Sequence, residues 1–217
     1  MHIERAEDVQ ISLKRIARIK KKYGLITKKR KRSNLKKGMI SMKENVVCEN
    51  LLNQSFNIST PDQVYSTDVT FLTNKKGKRA YLSGVKDLCT REVVGYSVSE
   101  TNDLELVLKS LRQLSRRNLR GPLIHSDQGH QYTSPVYQSY LKRKGMIQSM
   151  SRKGNCYDNA PIESFFGHLK DECDYRNWET IDELERKIGK YIKYYNEKRP
   201  QWGLQRKTPV EYRSFLS

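Results

Sequence analysis

Residues 61–99, PDQVYSTDVTFLTNKKGKRAYLSGVKDLCTREVVGYSVS, read as three β-strands in succession. VYSTDVTFL, KRAYLSGVKDL and EVVGYSVS are rich in β-branched and aromatic residues, and the polar turn TNKKGK divides the first two. Links this short imply an antiparallel three-stranded start. One residue is out of place: Asp68, in the middle of the first run between Thr67 and Val69. Aspartate is disfavoured in strands, and a carboxylate on a buried strand is costly unless something neutralises it. A cation would do so.

Outward from this block the pattern changes period. NDLELVLKSLRQLSRRN (102–118) repeats apolar residues at 104, 107, 108, 111 and 114, an amphipathic helix that Asn102 or Asp103 would cap. GPLIHSDQG (121–129) is a short buried strand ending at Asp127. SPVYQSYLKRKG (134–145) is a helix with Ser134 as cap and Pro135 at its first position, and MIQSMS (146–151) is a further strand. SRKGNCYDNAPIESFFGHLKDE (151–172) is a polar loop running into a helix that Asn159 would cap. Glu163 lies in its first turn, where the backbone dipole favours an acid, and Phe165, Phe166 and Leu169 follow at core spacing. A long helix at 180–196 carries Ile181, Leu184, Ile188, Tyr191, Ile192 and Tyr195 on one face, and TPVEYRSFL (208–216) closes the chain as a helix with a Thr cap. Tyr195 and Trp202 are assigned to packing. The order βββαβαβα predicts an α/β fold, a sheet flanked by helices.

The chain has 217 residues, 36% of them hydrophobic, enough for a core, and a net charge of +18. Such an excess of Lys and Arg meets a polyanion. No run approaches the length of a membrane-spanning helix, and the start lacks a signal-peptide layout, which points to nucleic acid rather than membrane and to the cytoplasm. Residues 1–45 hold fifteen Lys or Arg against four acids, a net of +11. SLKRIARIKKKYGL (12–25) reads there as a short helix ending at Gly24, followed by the basic run that includes Lys29, Arg30, Lys31 and Arg32. That run is either a solvated tail or a DNA-contacting arm. Residues 46–60 link it to the β-rich block. The four cysteines are scattered, with no paired ligand spacing for zinc and no disulfide framework.

Asp68, Asp127 and Glu163 form a joint pattern. Residues at the carboxyl ends of strands line the ligand crevice of an open α/β sheet, which suits Asp127. If Asp68 is on the neighbouring strand and the helix carries Glu163 over that edge, three carboxylates converge. An all-oxygen set suits Mg²⁺ or Mn²⁺, and two such ions are a known means of in-line phosphoryl transfer. Near them, Lys170 shares the helical face of Glu163 and is a candidate phosphate contact. Arg152, Lys153 and Asn155 lie in the polar loop, which is placed to clasp DNA. His125 and Asn159 are candidates to support the ligands, with packing and helix capping as their alternative roles.

The 35 residues between Asp127 and Glu163 resemble the D,D-35-E signature of the integrase catalytic core, common to retroviral integrases and many bacterial insertion-sequence transposases. YSTDVTFL, HSDQGHQYTS, KGNCYDNAPIESFFGHLKDE and YIKYYNEKRPQWGLQRKTPVEYR together resemble the second-reading-frame transposase of the insertion-sequence-three family, over about residues 50–217. Tyr65 departs from the Trp frequent in that family, and His130 from its Ser. The resemblance implies an RNase H-like fold with a mixed five-stranded sheet, and two divalent ions held by Asp68, Asp127 and Glu163. It implies cleavage and strand transfer at the ends of a mobile element, by a homo-oligomer formed on DNA. Residues 1–45 then correspond to the remnant of a helix-turn-helix region, 61–175 to the catalytic core and 176–217 to a C-terminal helical extension, with the chain N-terminally short. Two rival readings stay open: a truncated DNA-binding form that represses full-length copies, and a metal nuclease with water as its nucleophile.

Overall fold

The computed structural model describes residues 11–25, 47–116, 121–153 and 155–216. The chain divides into two units, residues 1–43 and 44–217. In the first, α1 (Leu13–Lys22) starts at Ser12, whose hydroxyl accepts from the Arg15 N–H, and none of its side chains is buried. It ends before Gly24, which takes the left-handed conformation open to glycine (φ +63°). Lys29, Arg30, Lys31 and Arg32 lie outside the described residues.

The second unit is built on one five-stranded sheet in the order β3-β2-β1-β4-β5. Its strands are β1 (Val64–Thr73), β2 (Arg79–Asp87), β3 (Val93–Ser99), β4 (Leu123–Ser126) and β5 (Ile147–Met150). The first three form an antiparallel meander, as their short turns predict, whereas β4 and β5 run parallel to β1. The mixed sheet is therefore a consequence of the helical crossovers that follow β3.

Those crossovers are α2 (Leu104–Arg112) and α3 (Pro135–Arg143); α4 (Ala160–Glu172), α5 (Ile181–Glu197) and α6 (Pro209–Leu216) complete the chain. Asp103 caps α2 by accepting the Leu106 N–H at 2.9 Å. The helix is shorter than the apolar repeat suggests, because its last turn tightens to a 3₁₀ turn at Gln113–Arg116. Ser134 occupies the cap position of α3 without a side-chain hydrogen bond, so Pro135 alone marks that start. Thr180 and Glu183 form a reciprocal capping box on α5, and Thr208 with Glu211 makes the same pair of bonds at α6.

Alternate residues of β1 face opposite ways and divide the core in two. Tyr65 joins Val107, Leu111, Ile124, Tyr137 and Leu141 beneath α2 and α3. Leu72 joins Phe165, Phe166, Leu169, Leu184, Ile188 and Tyr195 beneath α4 and α5. Arg213 of α6 fastens the C-terminus to the sheet through ion pairs with Asp62, Asp87 and Glu92, and burial of Asp87 raises its pKa against that attraction. Residues before β1 also pack on this unit: Leu52 is buried with Val64 and Leu88.

Candidate active site

Ser66, Asp68, Thr70 and Leu72 share the face of β1 that α4 covers, by the period of two and by the packing of Leu72. Two bonds on either side of Asp68 fix how α4 crosses it. Asn159, just before the helix, accepts from Ser66 Oγ at 2.6 Å and donates to the Thr67 carbonyl at 3.4 Å. Eleven residues on, Lys170 Nζ donates to Thr70 Oγ1 at 2.5 Å and lies 5.1 Å from the centre of the Phe71 ring. Glu163 stands between these anchors on an exposed part of the helix. Asn159 thus does not cap α4 with its side chain, as the sequence suggests; its amide is spent on β1, and the turn Cys156–Asn159 leads into the helix instead.

A glycine sets the depth of the crossing. Asp68 pairs with Gly84 of β2, and a Cβ at Gly84 would lie 3.2 Å from the Phe166 ring and 3.4 Å from Ile162 Cδ1. Ile162 and Phe166 flank Glu163 in sequence, so the missing side chain at Gly84 lets this part of the helix settle beside Asp68.

Asp127 arrives from the other side. Ser66 is level with His125 in the last pair of the parallel β1–β4 register, and Asp68 and Asp127 each follow two residues further along their chains. Asp127 Oδ1 accepts the Gly129 N–H at 2.8 Å, in a turn where a Cβ on Gly129 would come within 2.9 Å of that same oxygen. Below both acids is the buried phenol of Tyr132, 3.5 Å from Thr67 Oγ1. Burial raises its pKa well above the ordinary value, and the charges of Asp68 and Asp127 push it further the same way.

One register step behind the acids is a buried polar row: Lys86, Ser66, His125 and Ser149, one from each of four adjacent strands. Lys86 Nζ donates to the Pro161 carbonyl at 2.9 Å, and burial, with Arg91 and Arg199 nearby, pushes its pKa down to about 7. His125 Nδ1 is 2.9 Å from Ser149 Oγ. Burial lowers its pKa, with the backbone and charge of Asp158 opposing. His125 therefore belongs to the packed floor behind Asp127.

The loop before α4 is organised around Asp158, a buried carboxylate. It accepts from Arg152 (backbone N 2.9 Å, Nε 3.2 Å), Asn155 (3.0 Å), Asn50 (3.0 Å) and Gln54 (2.7 Å). The Arg152 guanidinium is the main reason its pKa lies far below the usual carboxylate range. Arg152 and Asn155 thus already have internal work, while Lys153 and Tyr157 are exposed beside them. Gly84, Gly129, Tyr132 and Lys86 border the candidate acids or the helix that carries one of them, and sequence reasoning does not single them out. Each looks like an ordinary strand or turn residue until the register shows what lies opposite. Trp202 is corrected as well: it is 63% exposed, because Leu204 takes the buried position in its 3₁₀ turn.

Among the described residues no group of three or more His, Cys, Asp or Glu stands ready-gathered to hold a metal ion. The chemistry of the donors still fits one. Three carboxylates with no imidazole or thiolate among them suit a hard divalent cation, and two of them already act together on the Tyr132 phenol. A mixed sheet with one acid in its central strand, one past the adjoining parallel strand and one on a crossing helix defines a class, the integrase-type RNase H-like cores.

The integrase core domain family matches residues 59–156, and a second integrase core domain model matches 144–209. The chain is 39% identical over 212 residues to an uncharacterized transposase-like protein of Haemophilus influenzae, covering 96% of this chain and 95% of that protein. It is 44% identical over 169 residues to the putative transposase InsK for insertion sequence element IS150 of Escherichia coli, covering 76% of this chain but 59% of InsK. Among solved structures, the catalytic core of HTLV-2 integrase in complex with magnesium has a TM-score of 0.54 at 18% identity, covering 70% of this chain and 97% of that one. The core of BIV integrase gives 0.54 at 20%, covering 71% and 95%, and both likenesses concern the fold. The chain belongs to the insertion-sequence transposases of the IS3 type, the family of DNA transposition and integration.

Proposed function

We propose that this chain is a divalent-metal-dependent polynucleotidyl transferase that cleaves DNA at the ends of a mobile element and joins the resulting 3′-hydroxyl to a target phosphodiester. The observation that supports this reading is the bracketing of Asp68 by Asn159 and Lys170 of the helix that carries Glu163, together with a parallel β1–β4 register that ends at Ser66 and His125, two residues before Asp68 and Asp127. Asp68, Asp127 and Glu163 would hold two Mg²⁺ or Mn²⁺ ions. When bound, such ions make the attacking oxygen more nucleophilic and stabilise the leaving one.

The chain's own residues do the rest. Gly129 aims the Asp127 carboxylate through its N–H, and Tyr132 closes the floor against water. Lys170 presents an ammonium on the same helix as Glu163, and Lys153 adds a second cation at the loop; both suit backbone phosphates. Arg152 and Asn155 contribute by holding the loop in shape through Asp158, with the outer part of Arg152 available to a strand. Residues 1–45, including Lys29, Arg30, Lys31 and Arg32, supply a non-specific electrostatic arm, and binding should weaken steeply with salt. On this reading 46–60 links the arm to a catalytic core at 61–175, 176–217 extends the core, and the protein acts as a homo-oligomer on DNA in the bacterial cytoplasm, beside the nucleoid. No helix among the described residues is long and apolar enough to cross a membrane.

The test is strand transfer on labelled oligonucleotides carrying the element's own ends, with Mg²⁺ or Mn²⁺, for the protein and for Asp127→Asn. Metal-dependent joining that disappears in the variant is expected. Hydrolysis without joining would replace the reading with a nuclease, and no reaction in either protein would overturn it.

A further inference from the structure

The loop at Trp202 has no part in the carboxylate site, yet it is built with care. Residues 198–207, KRPQWGLQRK, contain four cations and no acid. The loop is closed by its own backbone: Gln201 N–H donates to the Lys207 carbonyl at 3.0 Å, and the Arg206 and Leu204 N–H groups both donate to the Gln201 carbonyl. Leu204 is buried beneath it, and Gln205 and Arg206 both take the left-handed conformation (φ 54° and 64°) that side chains rarely adopt. Two consecutive residues of this kind persist only where the surroundings hold them, and such strain gathers at ligand clamps.

What the loop displays is an indole. Trp202 is 63% exposed, and the Arg206 guanidinium lies over its ring 4.8 Å from the centroid. The Arg91 guanidinium lies against the backbone of the next residue, Gly203. Alongside, Lys207 Nζ is 4.5 Å from the centre of the Phe215 ring, itself 59% exposed, and Tyr212 stands 6.3 Å from Phe215. Exposed aromatic rings interleaved with cations are the composition of a surface that tracks an unpaired nucleic-acid strand. Bases stack on the rings, and Lys and Arg meet the phosphates. A protein partner of acidic character would satisfy the charges but would leave the bare indole without a purpose. An exposed, cation-flanked indole suits a nucleobase.

We infer that Trp202, with Arg206 and Lys207, forms a stacking platform for single-stranded DNA. This rests on the transposase reading, since it assumes that DNA with unpaired bases reaches the protein. The platform adds a second DNA contact, on a loop that shares no residue with the carboxylate site.

The two tryptophans make the test direct, because Trp178 is 3% exposed and Trp202 carries the accessible fluorescence. The full chain is titrated with an oligothymidylate and with a blunt duplex of equal length, following tryptophan emission and, independently, anisotropy of a labelled strand. Expected are quenching of the Trp202 emission by the single strand, lost in Trp202→Phe/Phe215→Ala, and a weakening of single-strand affinity by about 5- to 150-fold in Trp202→Ala. Duplex affinity should change by less than about twofold in the same variant. Equal weakening for both forms of DNA, or unchanged single-strand affinity in a Trp202→Ala protein with wild-type unfolding temperature, would overturn the inference. Emission that changes with protein concentration in the absence of DNA would assign the face to a second copy instead. Failure of the transposase reading shows differently, as absence of strand joining by the unmutated chain whatever Trp202 binds.

Discussion

The two faces of the sheet use the same device to different ends. On one, a Cβ at Gly95 of β3 would strike the Ser110 carbonyl, so the backbone of α2 lies directly on the strand. Ser83 and Ser110 hydroxyls meet at 2.8 Å there, and the rest of that layer is Tyr65, Val107, Leu111, Ile124 and their neighbours. On the other, Gly84 lets α4 approach β2, but the layer beneath the helix start is polar: Lys86, Ser66, His125 and Ser149. The first face uses its glycine to bring a helix onto a mainly apolar layer. The second places a helix over Asp68 at the cost of buried polar groups, each of which needs its own partner.

This contrast is open to direct attack. Gly95→Ala puts a methyl into a backbone carbonyl that has no room to yield, and overpacking of that kind costs about 1–3 kcal/mol or more. Chemical unfolding should show the loss, while DNA joining per folded molecule stays near that of the unmutated protein. Gly84→Ala meets only the edge of the Phe166 ring and the tip of Ile162, so its stability loss should fall at the low end of that range, about 1 kcal/mol. Joining should nevertheless fall by about tenfold, because a shift of a few tenths of an ångström in α4 displaces Glu163 relative to Asp68. If the two variants lose stability and joining in the same proportion, the two faces do not differ in the way described.

A pH-dependent effect concerns Lys86. Its folded-state pKa is depressed from 10.5 to about 7, so between those values the unfolded chain binds more protons than the folded one. Its contribution to stability therefore rises with pH across that window, by up to about 1.4 kcal/mol per unit, and the burial penalty is present in full below about pH 7. Urea unfolding from about pH 7 to about pH 9 should give a steeper rise for the protein than for Lys86→Met. Parallel slopes would mean that Lys86 remains charged in the fold.

Much of this arrangement is legible in the order of residues alone. Asp68 stands out because an acid interrupts a β run, and Glu163 because Asp127 and a helix start frame it at a fixed interval. The meander, the two crossovers and the long α5 follow from residue spacing. What the sequence hides is pairing. Gly84 acquires its role only from standing opposite Asp68, and Lys86 only from pointing under α4 rather than into solvent. Asn159 looks like a cap because Asn before a helix usually is one, but its amide oxygen accepts from the Ser66 hydroxyl and makes no cap bond. Trp202 reads as core by residue type, but in its 3₁₀ turn Leu204 takes the buried position and Trp202 stays exposed.

The central claim is that α4 exists in this position to hold Glu163 as the third carboxylate of a metal site. Glu163→Gln keeps the shape and removes the charge, so it separates a ligand from an acid that merely complements the helix dipole. Strand joining in Mg²⁺ and the thermal unfolding midpoint should be measured on the same preparation. The account predicts joining reduced by several kcal/mol of transition-state stabilisation, about a thousandfold or more, with the midpoint displaced by no more than a few degrees. Joining within about threefold of the unmutated protein, with any lowered midpoint accounting for the difference, would contradict it.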